Sequence, residues 1–171
     1  MVLAAGTAAN IFLLWRFSIV KHRPHGIYRF FSFESIIILV FICAPVWSTA
    51  PSGWQQIASW ILLVGSIPLP VIGFYQLHVF GKPKGDIENT SMLVTTGVYR
   101  FVRHPLYLSL ALLGTGIFLK HIEFRTFVFA LVNLAVIIAT ARVEEKEMVE
   151  KFGDDYLNYI KHTKMFVPFL Y

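Results

Sequence analysis

The chain has 171 residues and a net charge of +5, and 56% of its residues are hydrophobic while only 15% are charged. This composition excludes a water-soluble globule, because one core of this size could not bury so much apolar surface. Long uncharged runs predict an integral membrane protein, so the basic excess indicates contact with anionic membrane lipids and not with nucleic acid.

Five apolar segments follow one another along the chain. The first three, at about 2–20, 30–47 and 54–77, approach or meet the roughly 20 residues that cross a bilayer. The last two, at about 105–119 and 126–141, are shorter, and the brief "KHIEF" between them predicts a tight helical hairpin or a pair that does not fully cross. We therefore expect an all-α polytopic bundle of about five transmembrane helices.

Charge placement predicts the orientation of these segments. The first loop, the third loop and the tail after residue 141 are basic, whereas the second loop has no charge and the fourth carries two cations around Glu123. Because cytoplasmic loops are enriched in lysine and arginine, the N-terminus is expected outside and the C-terminus in the cytoplasm. The cations of the first and third loops are Lys21, Arg23, Arg29, Lys82, Lys84, Arg100 and Arg103.

Tryptophans near segment ends are typical of interface anchors: Trp15, Trp47, Trp54 and Trp60.

The tail after residue 141 is dense in charge but keeps one apolar face. Residues spaced three to four apart predict an amphipathic helix on the membrane surface: Met148, Phe152, Tyr156 and Tyr159 or Ile160. Gly153 followed by Asp154 predicts a break into two short helices, with Asp154 as the N-cap of the second.

Polar residues crowd the start of the fourth segment, in "YRFVRHPLY". Pro105 suits the first turn of a helix, which predicts His104 at or near the N-cap and Tyr107 on the same side. The free N–H groups of a helix start, together with Arg100 and Arg103, make an anion-binding corner. The same residue types are typical of interface anchors, and the residues alone leave both interpretations open.

Two further pairs have both a structural and a functional interpretation. Gly114 and Gly116, inside the fourth segment, permit close approach of a flat ligand, although helix–helix contact is the commoner use. Glu144 and Glu145, just past the fifth segment, can hold ligand hydroxyls or an ammonium group, or can begin a solvated helix.

An antiparallel hairpin would bring these groups together. The start of the fourth segment then lies beside the end of the fifth, so His104 and Tyr107 are expected to face Arg142, Glu144 and Glu145 in one cytoplasmic volume. The glycines would lie about 15 Å deeper, at 1.5 Å per residue. A pocket with charged groups of both signs at its rim and small residues inside suits an amphiphilic ligand.

The stretches "LVTTGVYRFVRHPLY", "GTG" and "RVEEKEMVEKFGDDYLNYIKHTKMFVPFL" resemble the integral-membrane methyltransferases related to isoprenylcysteine carboxyl methyltransferase and phospholipid N-methyltransferase. The resemblance covers about residues 93–170. It implies S-adenosylmethionine as cofactor and a lipophilic small molecule or lipid as acceptor. In many relatives a glycine follows the motif tyrosine by two residues, whereas this chain has Ser109 at that position. The positions implied for cofactor binding are His104, Tyr107, Gly114, Gly116, Glu144 and Glu145.

Beside the resemblance, the chemistry of methyl transfer predicts a role for each of these residues. We expect one membrane domain over 1–171, with N-terminal spans in 1–80 and a cofactor-binding loop, the hairpin and the amphipathic tail in 81–171. Either glutamate would engage ribose hydroxyls or the cofactor ammonium, and Arg103 with His104 would hold its carboxylate or adenine. Arg103 and Arg142 are the expected catalytic residues. Arg142 would orient a carboxylate acceptor, whereas an amine acceptor would require His104 or a glutamate as base.

Two rival functions follow from other features. Some membrane sterol reductases also resemble the C-terminal region, which leaves open a nicotinamide-dependent reductase. Polar residues within apolar segments leave open a non-catalytic scaffold or transport component, with Arg16, Glu34 and Asn133 as candidates. The single Cys43 and the lack of metal-ligand spacings predict neither an intrachain disulfide nor a metal site.

Overall fold

The computed structural model describes residues 2–15, 26–49, 53–83 and 90–168, and within these ranges the fold is helical. Short 3₁₀ helices occupy Ala44–Val46 and Gly97–Arg100. Arg16, Lys21, Arg23 and Lys84 lie outside the described residues. The α-helices are α1 (Val2–Leu14), α2 (Gly26–Cys43), α3 (Trp54–Ser66), α4 (Pro68–Gly81), α5 (Pro105–Phe118), α6 (Phe124–Phe152) and α7 (Asp154–His162).

Three helical stretches within the described ranges are long and apolar enough to cross a membrane: Gly26–Val46, Trp54–Gly81 and Phe124–Phe152. The second joins α3 to α4, because Pro68 lies in the first turn of α4, where its missing N–H breaks no helical hydrogen bond. Two shorter apolar helices, Leu3–Phe12 and Pro105–Phe118, accompany them. The predicted all-α membrane class is confirmed, whereas the count of five crossings stays a prediction.

The apolar segment predicted over residues 126–141 is part of a longer helix, because α6 runs for 29 residues to Phe152. The helix begins where the backbone N–H of Glu123 donates to Thr126 Oγ1 at 3.1 Å. Residues 142–152 contain neither glycine nor proline and are rich in glutamate and lysine, which are strong helix formers. The break falls at Gly153, as predicted, with a φ of +55°. Gly153, and not Asp154, is the N-cap of α7.

The bundle is organised around α2, α5 and α6. Helix α2 packs against α1 and α6, and α5 packs against α3, α4 and α6, so the predicted α5–α6 hairpin is present with residues 119–123 as its turn. Apolar side chains from four of these helices form a buried core, which includes Ile36, Leu39, Cys43, Leu63, Ile117 and Ala130. The hairpin is therefore held on two sides by neighbouring helices.

Polar residues inside the apolar helices hydrogen-bond across helix contacts. Asn133 Nδ2 of α6 donates to both the carbonyl and the hydroxyl of Ser32 on α2, each at 3.1 Å. The Glu34 carboxylate of α2 accepts from Thr7 Oγ1 at 2.6 Å and from Asn10 Nδ2 at 3.0 Å on α1. Such bonds join helices within a membrane. They give Glu34 and Asn133 structural roles, which weakens the scaffold or transport interpretation.

The turn of the hairpin contains a buried cation, Lys120, whose side chain is only 3% exposed. Its Nζ lies 3.9 Å from the ring centroid of Trp60 and 5.5 Å from that of Trp47, and it donates to Gln56 Oε1 at 3.2 Å. We call these four residues the lysine cluster. Burial lowers the pKa of Lys120. Two of the predicted interface tryptophans therefore also form cation–π contacts, which join the turn to α3 and to the end of the 3₁₀ helix that follows α2.

Candidate active site

The start of α5 is fixed by the end of the chain. The backbone N–H groups of Arg103 and His104 donate to the carbonyls of Lys164 and Met165, at 2.8 and 3.2 Å. Pro105 is the first residue of α5 and His104 is its N-cap, as predicted. The segment that follows α7 thus holds the Arg-His-Pro motif in place, a role that no sequence pattern had indicated.

His104 is 7% exposed and lies between the two glutamates of α6. Its Nδ1 is 3.6 Å from Glu144 Oε2, and its Nε2 is 3.3 Å from Glu145 Oε1. The ring of Tyr107 stands beside the imidazole, with centroids 5.7 Å apart. Burial disfavours a charge on His104, but hydrogen bonds and charge attraction from both glutamates outweigh it and raise the pKa of the imidazole.

The other polar groups complete one connected cluster. The Tyr107 hydroxyl donates a short hydrogen bond to Glu144, and Arg103 Nε donates to Glu145 Oε1 at 2.6 Å. We call Arg103, His104, Tyr107, Glu144 and Glu145 the charged cluster. The structure therefore brings together five of the residues that sequence reasoning selected, because the α5–α6 hairpin sets the first turn of α5 beside the last turns of α6.

The two predicted catalytic arginines have different surroundings. Arg103 is paired with Glu145, and its Nη1 donates to the carbonyls of Thr163 and Ile160, so it also caps the C-terminal end of α7. Arg142 is exposed and does not line the cavity described below. The geometry thus gives Arg103 a positioning role and does not support Arg142 as an acceptor-orienting group.

Gly114 and Gly116 have packing contacts and do not line the cavity. A Cβ on Gly114 would lie 2.6 Å from Asn133 Oδ1, and one on Gly116 would lie 3.0 Å from side-chain atoms of Leu63. Ser59 Oγ also donates to the Gly116 carbonyl at 2.7 Å. The expectation that these glycines admit a ligand between the last two helices is not supported, because neighbouring side chains fill that space.

A cavity of about 1270 Å³ extends from the charged cluster into the apolar bundle. Arg103, His104, Tyr107 and Glu144 line its polar end, and Ser109 lies on the α5 wall one turn further in. The apolar part is lined by side chains of α2 and α4: Phe30, Phe33, Pro70, Val71, Phe74 and Leu77. One continuous space is thus bounded by charged groups at one end and hydrocarbon walls at the other.

Sequence reasoning missed several residues of the cavity wall. Arg29 of α2 and Glu147 of α6 line it, as do tyrosines that follow the helix break. Glu147 lies one turn after Glu144, so a helix extended past residue 141 would have indicated it. Arg29 is contributed by a helix distant in sequence, and only the packing of α2 against α6 brings it to the site.

Three further tyrosines, Tyr99, Tyr156 and Tyr159, line the cavity. The Tyr159 hydroxyl donates to the Tyr99 carbonyl at 2.5 Å, and the Tyr99 hydroxyl donates to the Gly73 carbonyl at 3.4 Å. Tyr156 packs edge-on against Tyr159, with ring centroids 5.7 Å apart. These contacts tie α7 and the loop before α5 to α4, and burial raises the pKa of all three phenols.

Comparisons with known proteins agree with this arrangement. A family profile described as phospholipid methyltransferase matches residues 54–155. The methanethiol S-methyltransferase 2 of Bradyrhizobium diazoefficiens is 30% identical over 156 residues, covering 80% of this chain and 56% of that protein. The protein-S-isoprenylcysteine O-methyltransferase of Schizosaccharomyces pombe is 35% identical over 81 residues, 46% of this chain and 34% of that protein. The corresponding protein of Saccharomyces cerevisiae is 33% identical over 86 residues, 48% of this chain and 35% of that protein.

These comparisons confirm the resemblance and extend it. The matched region begins at residue 54, so it includes α3 and α4 as well as the C-terminal motifs. The chain spans about half or less of the length of these relatives, between 34% and 56%. The relatives are named as methyltransferases of a thiol or of a prenylated cysteine, which favours methyl transfer over the reductase and scaffold interpretations.

Proposed function

The chain belongs to the phospholipid methyltransferase family, and we propose that it transfers a methyl group from S-adenosylmethionine to a lipophilic acceptor in the membrane. One observation carries this proposal: the cavity joins a charged cluster to a hydrocarbon wall without interruption. A water-soluble charged donor and an apolar acceptor need these two environments in contact, because the transferred methyl must be aligned between them.

The residues at the polar end fit this cofactor by their chemistry. S-adenosylmethionine supplies a methyl group on a positively charged sulfur, and it also carries an ammonium group, a carboxylate and ribose hydroxyls. Glu144 lines the cavity and has the charge to attract an ammonium group or accept from hydroxyls, while His104 offers a ring N–H beside it. Tyr107 supports Glu144 by its hydrogen bond. Glu145 acts through His104 and Arg103, since it contacts both and does not line the cavity.

The raised pKa of His104 bears on the acceptor. Although burial disfavours the charge, hydrogen bonds and charge attraction from both glutamates raise the pKa of His104, which favours the protonated imidazole, and a protonated imidazole is not a general base. A neutral amine would be needed for attack on a methyl group, so an amine acceptor would require a base, either His104 or a glutamate. A carboxylate is nucleophilic without losing a proton. We therefore favour an isoprenylcysteine-carboxylate-like acceptor and keep a phospholipid-amine-like acceptor as the alternative.

The size of the cavity supports a large acceptor. Sites for drug-sized ligands occupy about 300–1,000 Å³, so a space of about 1270 Å³ exceeds the needs of one cofactor. The remaining volume is lined by phenylalanine, proline and aliphatic side chains. A long apolar chain would bury its surface there, whereas a very small thiol would leave most of the wall unfilled.

The proposal is tested with the purified protein in lipid nanodiscs. Cofactor binding is measured by titration calorimetry, and transfer of a labelled methyl group is measured with a farnesylcysteine carboxylate, an amine-headgroup phospholipid and methanethiol as acceptors. We expect binding and transfer to the carboxylate. His104→Ala is expected to lose about tenfold or more in cofactor affinity. His162→Ala, an exposed histidine of α7, is the matched control. Absence of cofactor binding by the wild type would overturn the proposal.

The topology is proposed with the function. We infer five crossings in one membrane domain over residues 1–171, with the charged cluster on the cytoplasmic side and the N-terminus outside. The basic first and third loops and tail support this orientation. Single cysteines introduced at exposed Thr49 and Lys161, in a chain with Cys43 replaced by serine, are expected to react with an impermeant maleimide on opposite sides of sealed vesicles. Labelling of both from one side would contradict the orientation.

A further inference from the structure

Tyr156 is a buried residue of the cavity wall whose hydroxyl the protein itself does not use. The residue as a whole is 3% exposed and lines the cavity. Within the part of the chain that the structure describes, its hydroxyl makes no hydrogen bond, whereas those of Tyr99, Tyr107 and Tyr159 each donate one. A tyrosine whose ring is buried ordinarily has a hydrogen-bond partner for its hydroxyl. A hydroxyl on the cavity wall without a protein partner is therefore available to a ligand.

The surroundings of Tyr156 restrict what that ligand group is. Arg103 of the charged cluster donates from Nη1 to the carbonyl of Ile160, which lies one turn after Tyr156 in α7. The charges of Glu145 and Arg103 both act on the Tyr156 hydroxyl. Burial, then the charge of Glu145, raises the pKa of the phenol, so it keeps its proton and is available as a hydrogen-bond donor. A protonated phenol is suited to an anionic or carbonyl oxygen of the ligand.

Arg103, the residue expected to hold the cofactor carboxylate, is engaged elsewhere. Its Nε is bonded to Glu145, and its Nη1 to the carbonyls of Ile160 and Thr163 at the C-terminal end of α7. Glu144 lines the cavity, and its charge would attract the ammonium group of the same amino acid. With Glu144 as the ammonium partner, the carboxylate on the same carbon atom needs a separate donor nearby.

We propose that the Tyr156 hydroxyl binds the methyl donor by donating a hydrogen bond to the carboxylate of its amino-acid end. This inference rests on the proposed use of S-adenosylmethionine and assigns a binding residue within that site. Tyr156 is thus a positioning residue for the donor, and the tyrosine three residues later, Tyr159, is a structural one, because its hydroxyl is used to hold the Tyr99 carbonyl.

The test compares the affinities of three probes in nanodiscs by titration calorimetry. S-adenosylhomocysteine has the carboxylate, its decarboxylated analogue lacks only that group, and 5′-methylthioadenosine lacks the whole amino-acid end. For Tyr156→Phe we expect about a 10- to 100-fold weaker affinity for S-adenosylhomocysteine, as for one lost bond to a charged group. Affinities for the other two probes are expected to match those of the wild type.

Control variants separate this effect from a structural one. Tyr75→Phe makes the same change at an exposed position of α4 and should leave all three affinities unchanged. Tyr159→Phe should lower the melting temperature, because it removes a used hydrogen bond, whereas Tyr156→Phe should melt as the wild type does. The affinity of Tyr156→Phe for 5′-methylthioadenosine reports whether the site is still folded.

The outcomes distinguish this inference from the proposed function. If the wild type binds S-adenosylhomocysteine and Tyr156→Phe binds it equally well, the assignment of Tyr156 is wrong while the proposed function stands. Equal weakening for all three probes also overturns the assignment, since the hydroxyl would then act away from the carboxylate. Failure of the wild type to bind any probe overturns both.

Discussion

The two ends of the α5–α6 hairpin hold buried charge in different ways. At the open end, the charged cluster combines two cationic side chains with two carboxylates and borders a cavity of about 1270 Å³. At the turn, the lysine cluster holds one cation between two tryptophan rings and one amide, beside a space of about 360 Å³. Buried charge is compensated by opposite charge at the first end and by aromatic faces at the second.

This difference separates a site from a structural contact. Glu144 and the imidazole of His104 at the open end can exchange their partners for a ligand, because the cavity reaches them. The ammonium group of Lys120 joins the turn to Trp60 and Gln56 of α3 and to Trp47, and no ligand group is needed to satisfy it. We expect substitutions at the open end to change binding and those at the turn to change stability alone.

The largest effect is expected from Glu145→Gln at the open end. The change leaves the buried Arg103 and His104 without their shared counter-charge, and breaking such a pair costs about 3–5 kcal/mol of unfolding free energy. Thermal and denaturant unfolding in detergent measure this loss. Glu150→Gln, an exposed glutamate later in α6, is the control and should change stability little. Equal stability of the two variants would contradict the ion-pair role of Glu145.

The middle of the hairpin is tested by Gly114→Ala. The added methyl would lie 2.6 Å from Asn133 Oδ1, so the α5–α6 contact must shift, at a cost of about 1–3 kcal/mol. Unfolding measurements should show this loss without a selective change in cofactor affinity. Gly65→Ala is the matched control, because a Cβ there meets nothing within 4 Å and alanine favours a helix. A loss of cofactor affinity without a loss of stability would restore Gly114 to the binding site.

At the turn, Lys120→Met keeps the length of the side chain and removes its charge. The loss of the cation–π contacts and of the bond to Gln56 is expected to lower the unfolding free energy by about 1 kcal/mol. Cofactor affinity, measured by calorimetry, should stay that of the wild type. Lys161→Met, at an exposed lysine of α7, provides the control. Weaker cofactor binding by Lys120→Met would show that the two ends are coupled.

The smallest expected effect is on the pH dependence of the protein's stability, through His104. Because the folded-state pKa of His104 is raised above its ordinary value of 6.5, its contribution to stability is complete below that value and is lost as pH rises through the raised pKa. The contribution of His104 to the unfolding free energy is at most about 1.4 kcal/mol for each pH unit by which its pKa is raised. Melting temperatures from about pH 6 to about pH 8 should therefore fall more steeply for the wild type than for His104→Gln. Parallel profiles would show that His104 is not charged in the folded protein.

Several elements were predictable because they depend on local chemistry. Pro105 at a helix start, the break at Gly153 and the hairpin follow from backbone preferences and short loops, which act over a few residues. That one helix continues from the apolar segment past residue 141 to Phe152 was not predicted, because hydropathy reports only the apolar part of a helix. Glutamate and lysine are strong helix formers, so hydropathy and helix length need not end together.

The candidate site also contains some residues that local sequence predicts and others that only long-range packing brings in. His104, Tyr107, Glu144 and Glu145 were found from motif residues at the two open ends of one hairpin, and their meeting needs only antiparallel packing. Arg29, the segment after α7 and the packing of Gly114 against Asn133 depend on contacts between residues far apart in the chain. No spacing rule reports such contacts.

Residue order alone established a helical membrane protein, its family and the chemistry available at one end of a hairpin, since hydropathy and motif spacing are carried by neighbouring residues. Folding in three dimensions settled which of those groups remain available to a ligand. Arg103 is bonded to Glu145 and to carbonyls at the C-terminal end of α7, and the glycines are packed against side chains, whereas the Tyr156 hydroxyl has no hydrogen-bond partner among the described residues. A side chain becomes available or engaged according to the partners that packing brings near it, and those partners come from distant parts of the chain.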